Sequence, residues 1–122
     1  TSFTCTDDIF EEFIKYIKEN NIKFNSEENK KLTELKAAAD KKSYDESFYN
    51  KVNEMAQIIS QKNYEEIISN KEELKRAIEN EIGKQIYNDD ERISSALIKD
   101  TAVMKAIYYI KNISEYNNLL NK

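Results

Sequence analysis

The sequence predicts an all-α protein, a single compact bundle of about six to eight short and medium helices. The 122 residues include no proline and only one glycine, so the two residues that most often interrupt helices are nearly absent. Apolar residues recur at spacings of three and four, and the alternation typical of strands is not found. A chain of this length forms about one domain and can bury a core without disulfides.

Asparagine, serine and threonine provide the signals for helix starts. Thr6 can cap a first helix over residues 7–20, whose acidic first turn suits the positive end of the helix dipole. Asn25 followed by Glu28 is a capping box that predicts a second helix over residues 25–42. The apolar stripe of this second helix is thin, so we expect it at the periphery of the bundle.

Two further capping boxes follow in the middle of the chain. Ser43 with Glu46 predicts a third helix over residues 43–62. Asn63 with Glu66 repeats the pattern and predicts the start of a separate short helical turn.

The next helix has the strongest amphipathic pattern of the chain. Asn70 with Glu73 marks its start, and apolar residues continue at helical spacing over residues 70–88. Gly83 is its one irregularity, and we interpret this glycine as a point of close packing. Apolar residues over 93–97 indicate either a separate helix or the same helix continued.

The last third of the chain predicts two more helices. Asp100 or Thr101 is expected to cap the first of them, and Ser114 is expected to start the second. We also predict that Arg92 and Asp100 form a charged pair that fixes the turn between two helices. Five apolar residues of this region are expected to face the core: Val103, Met104, Ala106, Ile107 and Ile110.

Composition excludes several classes of function. The chain has no histidine, which excludes a Ser-His-Asp triad, a Cys-His pair and an imidazole zinc site. A single glycine excludes the glycine-rich loops that bind phosphates. The net charge of −4, with both signs interleaved, does not predict nucleic acid as a partner, and no apolar run is long enough to cross a bilayer. The sequence therefore predicts no catalytic, cofactor-binding or metal-binding residue, and no cofactor.

The remaining reactive residues have ordinary structural interpretations. Paired carboxylates such as Glu72 and Glu73 lie mostly in first turns, where the helix dipole explains them. Ser95 and Lys99 are four residues apart on a predicted helix, but a working dyad needs a lysine held neutral by burial and an oxyanion hole. Cys5 has no nearby cluster of positive charge to lower its pKa, so we expect an inert thiol.

Three tyrosines near the C-terminal end have two interpretations. Tyr108, Tyr109 and Tyr116 are amphipathic side chains of the kind that lies at the edge of a helical core. They can instead form part of a docking surface, and both interpretations remain open at this point.

Three segments resemble the C-terminal helical region of carboxyl-terminal processing (tail-specific) serine peptidases, particularly the envelope-associated members. They are DDIFEEFIKYIKENNIKF, LTELKAAADKKSYDE and NKEELKRAIENEIGKQIYNDDERISSALIKDTAVMKAIYYIKNISEYNNLL. The resemblance extends from about Asp7 to Leu120, and the last segment carries it most clearly. The matching positions there are Glu81-Ile82, Tyr87, Arg92, Leu97, Asp100, Lys105-Ala106-Ile107, Tyr116 and Leu119-Leu120.

The resemblance implies an accessory part of a larger peptidase. Peptidases of this family cut proteins near their C-termini with a serine nucleophile and a lysine base on a separate domain, and a PDZ domain binds the apolar tail of the substrate. Residues 1–6 would then be a disordered leader or a boundary segment, and residues 7–122 a helical C-terminal accessory domain for packing, oligomerisation or regulation. The expected partners are the catalytic and PDZ domains of the same polypeptide, with self-association possible, in the periplasm or cell envelope.

Two alternatives of other classes stay open from the residues themselves. One is a free-standing helical module that binds an unrelated protein. The other is a small bundle that binds a lipid or a cofactor, which the narrow apolar stripes disfavour.

Overall fold

The structure is a computed structural model that describes residues 3–24, 26–89 and 94–120. Within these residues the fold is all α-helical, as predicted, and has no strand. The described residues form five helices, so the predicted six to eight are too many: α1 (Asp7–Glu19), α2 (Glu27–Lys41), α3 (Glu46–Ser69), α4 (Lys71–Asp89) and α5 (Ser95–Leu120). No helix among the described residues is long and apolar enough to cross a membrane.

The helix count differs because two predicted starts lie inside continuous helices. Asn63 lies within α3 and Ser114 lies within α5, so neither begins a new element. A capping residue marks a start only where the preceding residues leave the helical conformation. In α3 the buried face continues past the predicted break, since Val52 and Ile67 both lie in the interior. Packing along one face therefore keeps α3 helical through its polar middle.

The first two helices begin at polar caps. Thr6 caps α1 as predicted, since its hydroxyl accepts a hydrogen bond from the backbone N–H of Ile9 at 3.3 Å. The cap of α2 is Ser26, whose hydroxyl accepts from the backbone N–H of Asn29 at 3.3 Å. The predicted cap, Asn25, lies outside the described residues. Only Ala39 of α2 is buried, which confirms a peripheral helix.

The cap of α3 is Asp45 and not Ser43. The carboxylate of Asp45 accepts a hydrogen bond from the backbone N–H of Phe48 at 3.3 Å. Ser43 has a φ of 55°, in the left-handed region, so it belongs to the turn that precedes the cap. The prediction chose the wrong polar residue of two that lie close together in sequence.

The start of α5 also differs from the prediction. The hydroxyl of Ser94 accepts a hydrogen bond from the backbone N–H of Leu97 at 3.1 Å, and the helix runs on from there. Asp100 therefore lies on an exposed position inside α5, and the expectation that Asp100 or Thr101 caps a helix is wrong. Arg92 lies outside the described residues, and so does its predicted pair with Asp100.

The core lies between α1, α3, α4 and α5. The most extensive contact between two helices is that of α4 with α5, and α2 packs mainly on α3. Complete burial of an aliphatic side chain contributes about 1.5–3 kcal/mol, so the core residues are the main source of stability. Those with at most 1% exposure in these four helices include Ile17, Val52, Ile67, Leu74, Ile78, Ile82, Ala106 and Ile110.

Gly83 is not a point of close packing. A Cβ atom built on Gly83 would meet no atom within 4 Å, and the residue lies within α4. The predicted role is therefore wrong, because no neighbour requires the absence of a side chain there.

Candidate interaction surface

Helix α5 presents apolar side chains that the bundle does not cover. Met104 is 71% exposed and Tyr108 is 62% exposed. The two residues are four apart, so they lie on one face of the helix, one turn from each other. The opposite face is buried and includes Ala102 and Ala106. We call the exposed pair, Met104 and Tyr108, the α5 face.

A groove of about 320 Å³ joins the α5 face to α4. Lys105 crosses this groove, since its Nζ lies 3.5 Å from Oε2 of Glu81 and 5.9 Å from the centre of the Tyr108 ring. Both groups of the ion pair are about one-third exposed, so the pair lies at the surface. The groove thus combines apolar side chains with hydrogen-bonding groups, and its lining residues are Glu81, Gln85, Thr101, Met104, Lys105 and Tyr108.

The three tyrosines singled out in the sequence do not share one face. Tyr108 and Tyr116 are both exposed, whereas Tyr109 is half-buried. Desolvation by burial raises the pKa of the Tyr109 hydroxyl, and the charges of Glu73 and Glu66 raise it further. Adjacent residues of a helix point about 100° apart, which is why Tyr108 and Tyr109 have different surroundings.

The prediction that Met104 faces the core is wrong. Met104 lies two residues from both Ala102 and Ala106, so it points about 200° around the helix from these two buried side chains. The structure leaves Val103 partly buried and Met104 exposed. The spacing of four between Met104 and Tyr108 is the signal that identifies the exposed pair.

Ser95 and Lys99 both line a second cavity, on another side of α5. Ser95 is exposed at the first residue of the helix. The Nζ of Lys99 lies 5.4 Å from the centre of the Tyr16 ring, in a cation–π contact. Among the described residues, no hydrogen bond joins Ser95 to Lys99. The arrangement does not provide a base for the serine hydroxyl.

The N-terminal segment is packed on α4. Cys5 is only 2% exposed, and its backbone N–H donates to Oε1 of Glu79 at 2.8 Å. Burial raises the pKa of the Cys5 thiol, although Lys75 acts in the opposite direction. Asp7 accepts from Nζ of Lys75 at 2.7 Å, and this hydrogen bond lowers the pKa of its carboxyl group. The fold thus places Lys75, which is distant in sequence, near Cys5. Burial nevertheless has the larger effect on the pKa of the Cys5 thiol.

The described residues contain no group of three or more acidic or cysteine side chains placed to hold a metal ion. The acidic pair Glu72 and Glu73 lies in the first turn of α4, where the helix dipole favours negative charge.

Comparison of this chain with known protein families gives one match. A family described as "Probable PDZ-protease, C-terminal helical domain" matches residues 1–110, which is most of the chain. The chain belongs to this family. No match was found among curated proteins or among solved structures.

Membership confirms that part of the resemblance which concerns the C-terminal helical domain of a PDZ-protease. A C-terminal helical domain of a PDZ-protease accompanies other domains of that protease. Both Met104 and Tyr108 lie inside the matched range, so the α5 face is part of the PDZ-protease helical domain itself. Tyr116 lies beyond the matched range.

Proposed function

We propose that this chain is a non-catalytic domain that packs its α5 face against the catalytic and PDZ domains of the same PDZ-protease. The observation that carries the proposal is the exposure of Met104 and Tyr108 beside a groove with hydrogen-bonding groups. The parent enzyme is proposed to be a carboxyl-terminal processing serine peptidase, with its serine–lysine dyad outside this chain. The domain would support packing, oligomerisation or regulation of that enzyme.

The chemistry of the α5 face suits a protein partner. Tyrosine and methionine are enriched in protein interfaces, because they bury a large area and adapt to the partner's shape. Gln85 and Thr101 add groups that can fix the register of docking through hydrogen bonds. The Glu81–Lys105 ion pair contributes little at the surface, and would be desolvated on docking.

Several observations support the absence of catalysis in this chain. The sequence has no histidine, and its one glycine lies in open space within α4. Ser95 and Lys99 share no hydrogen bond in the described part of the chain. We expect the 122-residue chain alone not to cleave a protein with an apolar C-terminal tail, and Ser95→Ala not to change cleavage by the intact protease.

Methionine oxidation tests the docking proposal directly, because the chain has only two methionines. Met104 is exposed on the α5 face, and Met55 is 41% exposed on α3 as an internal control. Oxidation by peroxide converts each to a sulfoxide that mass spectrometry counts. We expect Met104 to oxidise several-fold more slowly in the intact protease than in the isolated chain, and Met55 to oxidise at similar rates in both.

Substitution of the second residue of the face provides the matched variant. Tyr108→Ser should restore fast oxidation of Met104 in the intact protease, since truncating an interface tyrosine weakens binding substantially. Ile58→Ser, at an exposed apolar position of α3, should leave Met104 protected. Equal oxidation of Met104 in the isolated chain and the intact protease would contradict the proposal. Protection that appears in the isolated chain at high concentration would assign the α5 face to self-association.

The location of the parent enzyme is a further part of this proposal. The resemblance to envelope-associated peptidases supports the periplasm or cell envelope. Fractionation of cells that produce the intact protease, followed by immunodetection of the helical domain, tests this location.

A further inference from the structure

A second cavity, of about 250 Å³, lies between the N-terminal segment, α1, α4 and α5. It opens on the side of α5 opposite to the α5 face, because Ala102 and Ile98 line it and point away from Met104 and Tyr108. The cavity is therefore separate from the proposed docking surface.

The inner wall of this cavity is made of apolar side chains. Cys5, Phe13, Ile78 and Ala102 line it, and each is at most 3% exposed. The raised pKa of the Cys5 thiol is consistent with a desolvated wall. An apolar cavity of about 150 Å³ can bind benzene, so a volume near 250 Å³ accommodates about ten non-hydrogen atoms.

The rim of the cavity is polar, with a positive side chain on one side and a negative side chain on the other. Lys99 and Ser95 lie on α5, and Glu12 lies on α1. Within the described residues, no carboxylate lies at ion-pair distance from Nζ of Lys99, whose contact is the Tyr16 ring. Lys99 is half-buried and Glu12 is exposed to water, so water screens the charge of Glu12 more strongly than that of Lys99.

We propose that this cavity binds a medium-chain aliphatic carboxylate, with the chain on the apolar wall and the carboxylate at Lys99 and Ser95. Burial of the chain against Ile9 and Ile98, which line the cavity and are partly exposed, supplies the affinity, and Lys99 selects the charge of the head group. A ligand of about ten non-hydrogen atoms is expected to bind with a dissociation constant of about millimolar or tighter.

Octanoate is the probe, and the isoleucine methyl groups of the full 122-residue chain report its position in NMR spectra. Saturable shifts are expected for Ile9, Ile78 and Ile98, which line the cavity. Ile67 is buried elsewhere in the core and serves as the internal control. Absence of saturable shifts, or equal shifts at Ile67, would overturn the proposal.

Probes that differ from octanoate only in the head group test the role of charge. Octanol lacks the carboxylate and octylammonium reverses its charge, so both should bind more weakly than octanoate. If octanol binds as tightly as octanoate, Lys99 does not select a negatively charged head group, and the proposal fails.

Charge variants at the rim form a matched pair. Lys99→Gln should weaken octanoate binding about five- to tenfold, whereas Glu12→Gln should leave it unchanged or strengthen it. Ser95→Leu places an apolar side chain at the rim and should block entry. Circular dichroism and thermal melting establish that each variant is folded. Binding that is unchanged in Lys99→Gln would overturn the proposal.

The carboxylate could come from a lipid or from the end of a peptide. N-acetylleucine has a carboxylate on the α-carbon, beside an acetylated nitrogen and a branched side chain as at the end of a peptide, so it is compared with octanoate. Tighter binding of octanoate supports the proposed aliphatic chain, and tighter binding of N-acetylleucine would replace it with a peptide C-terminus.

Discussion

Replacement of Asn63 by leucine is expected to stabilise the protein. Asn63 lies in the middle of α3 and is only 4% exposed, and its Nδ2 group has no hydrogen-bond acceptor within the described structure. A buried polar group left without a partner costs about 1–3 kcal/mol. Leucine has the same branched arrangement of side-chain non-hydrogen atoms, with larger methyl groups, and favours the helix over asparagine by roughly 0.5 kcal/mol. Asn63→Leu should therefore raise the free energy of unfolding by about 1–3 kcal/mol.

Urea denaturation followed by circular dichroism measures this difference. Asn53→Leu is the matched control, because Asn53 is exposed on the same helix and reports the change in helix propensity alone. This control should change stability by at most about 0.5 kcal/mol. Asn63→Asp places a charge at the buried site and should destabilise the protein.

If Asn63→Leu lowers the free energy of unfolding while Asn53→Leu leaves it unchanged, the amide of Asn63 makes a hydrogen bond that stabilises the folded chain. The assignment of Asn63 as an unsatisfied buried group would then be wrong.

Two further predictions concern Gly83 in α4 and Glu66 in α3. Gly83→Ala should stabilise the protein by about 1 kcal/mol and raise the melting temperature by about 3–5 °C, because alanine favours a helix and its Cβ meets no atom within 4 Å; a lower melting temperature would show that the methyl group does not fit. Burial, with the nearby charge of Glu28, raises the pKa of Glu66 in the folded state, so its ionisation opposes folding as the pH rises through that pKa. Glu66→Gln should therefore raise the melting temperature at about pH 7, and the gain should disappear at about pH 3 and below, where the wild-type carboxyl group is protonated in both the folded and the unfolded state. A gain that persists unchanged at low pH would contradict the assignment.

Local signals explain most of what could be predicted from the sequence. The cap at Thr6 and the start of α4 after Asn70 depend on hydrogen bonds between residues three or four apart, so they are visible in the order of residues. The peripheral position of α2 follows from its thin apolar stripe, and Ala39 is its one buried residue. Family membership, too, was visible in the sequence, since it is carried by residue order along most of the chain.

Signals of the same local kind also produced the errors in helix number. Asn63 and Ser114 are good capping residues, but a polar residue caps a helix only if the chain turns there. Whether it turns depends on the buried face on either side, and that face depends on which other helices pack against it. For this reason α3 and α5 are each longer than their capping signals predict.

The sequence by itself determined that this protein is an all-α domain and which family it belongs to, because periodicity and residue order are local properties. Only the tertiary structure decided which apolar residues are exposed to solvent and which polar residues are buried. Cys5 is buried, and its backbone N–H donates to Glu79, 74 residues away, while Met104 remains exposed beside a buried helix face. The groove beside the α5 face and the cavity at Lys99 both arise where distant segments meet, so their composition follows from packing between helices and not from the pattern within any one of them.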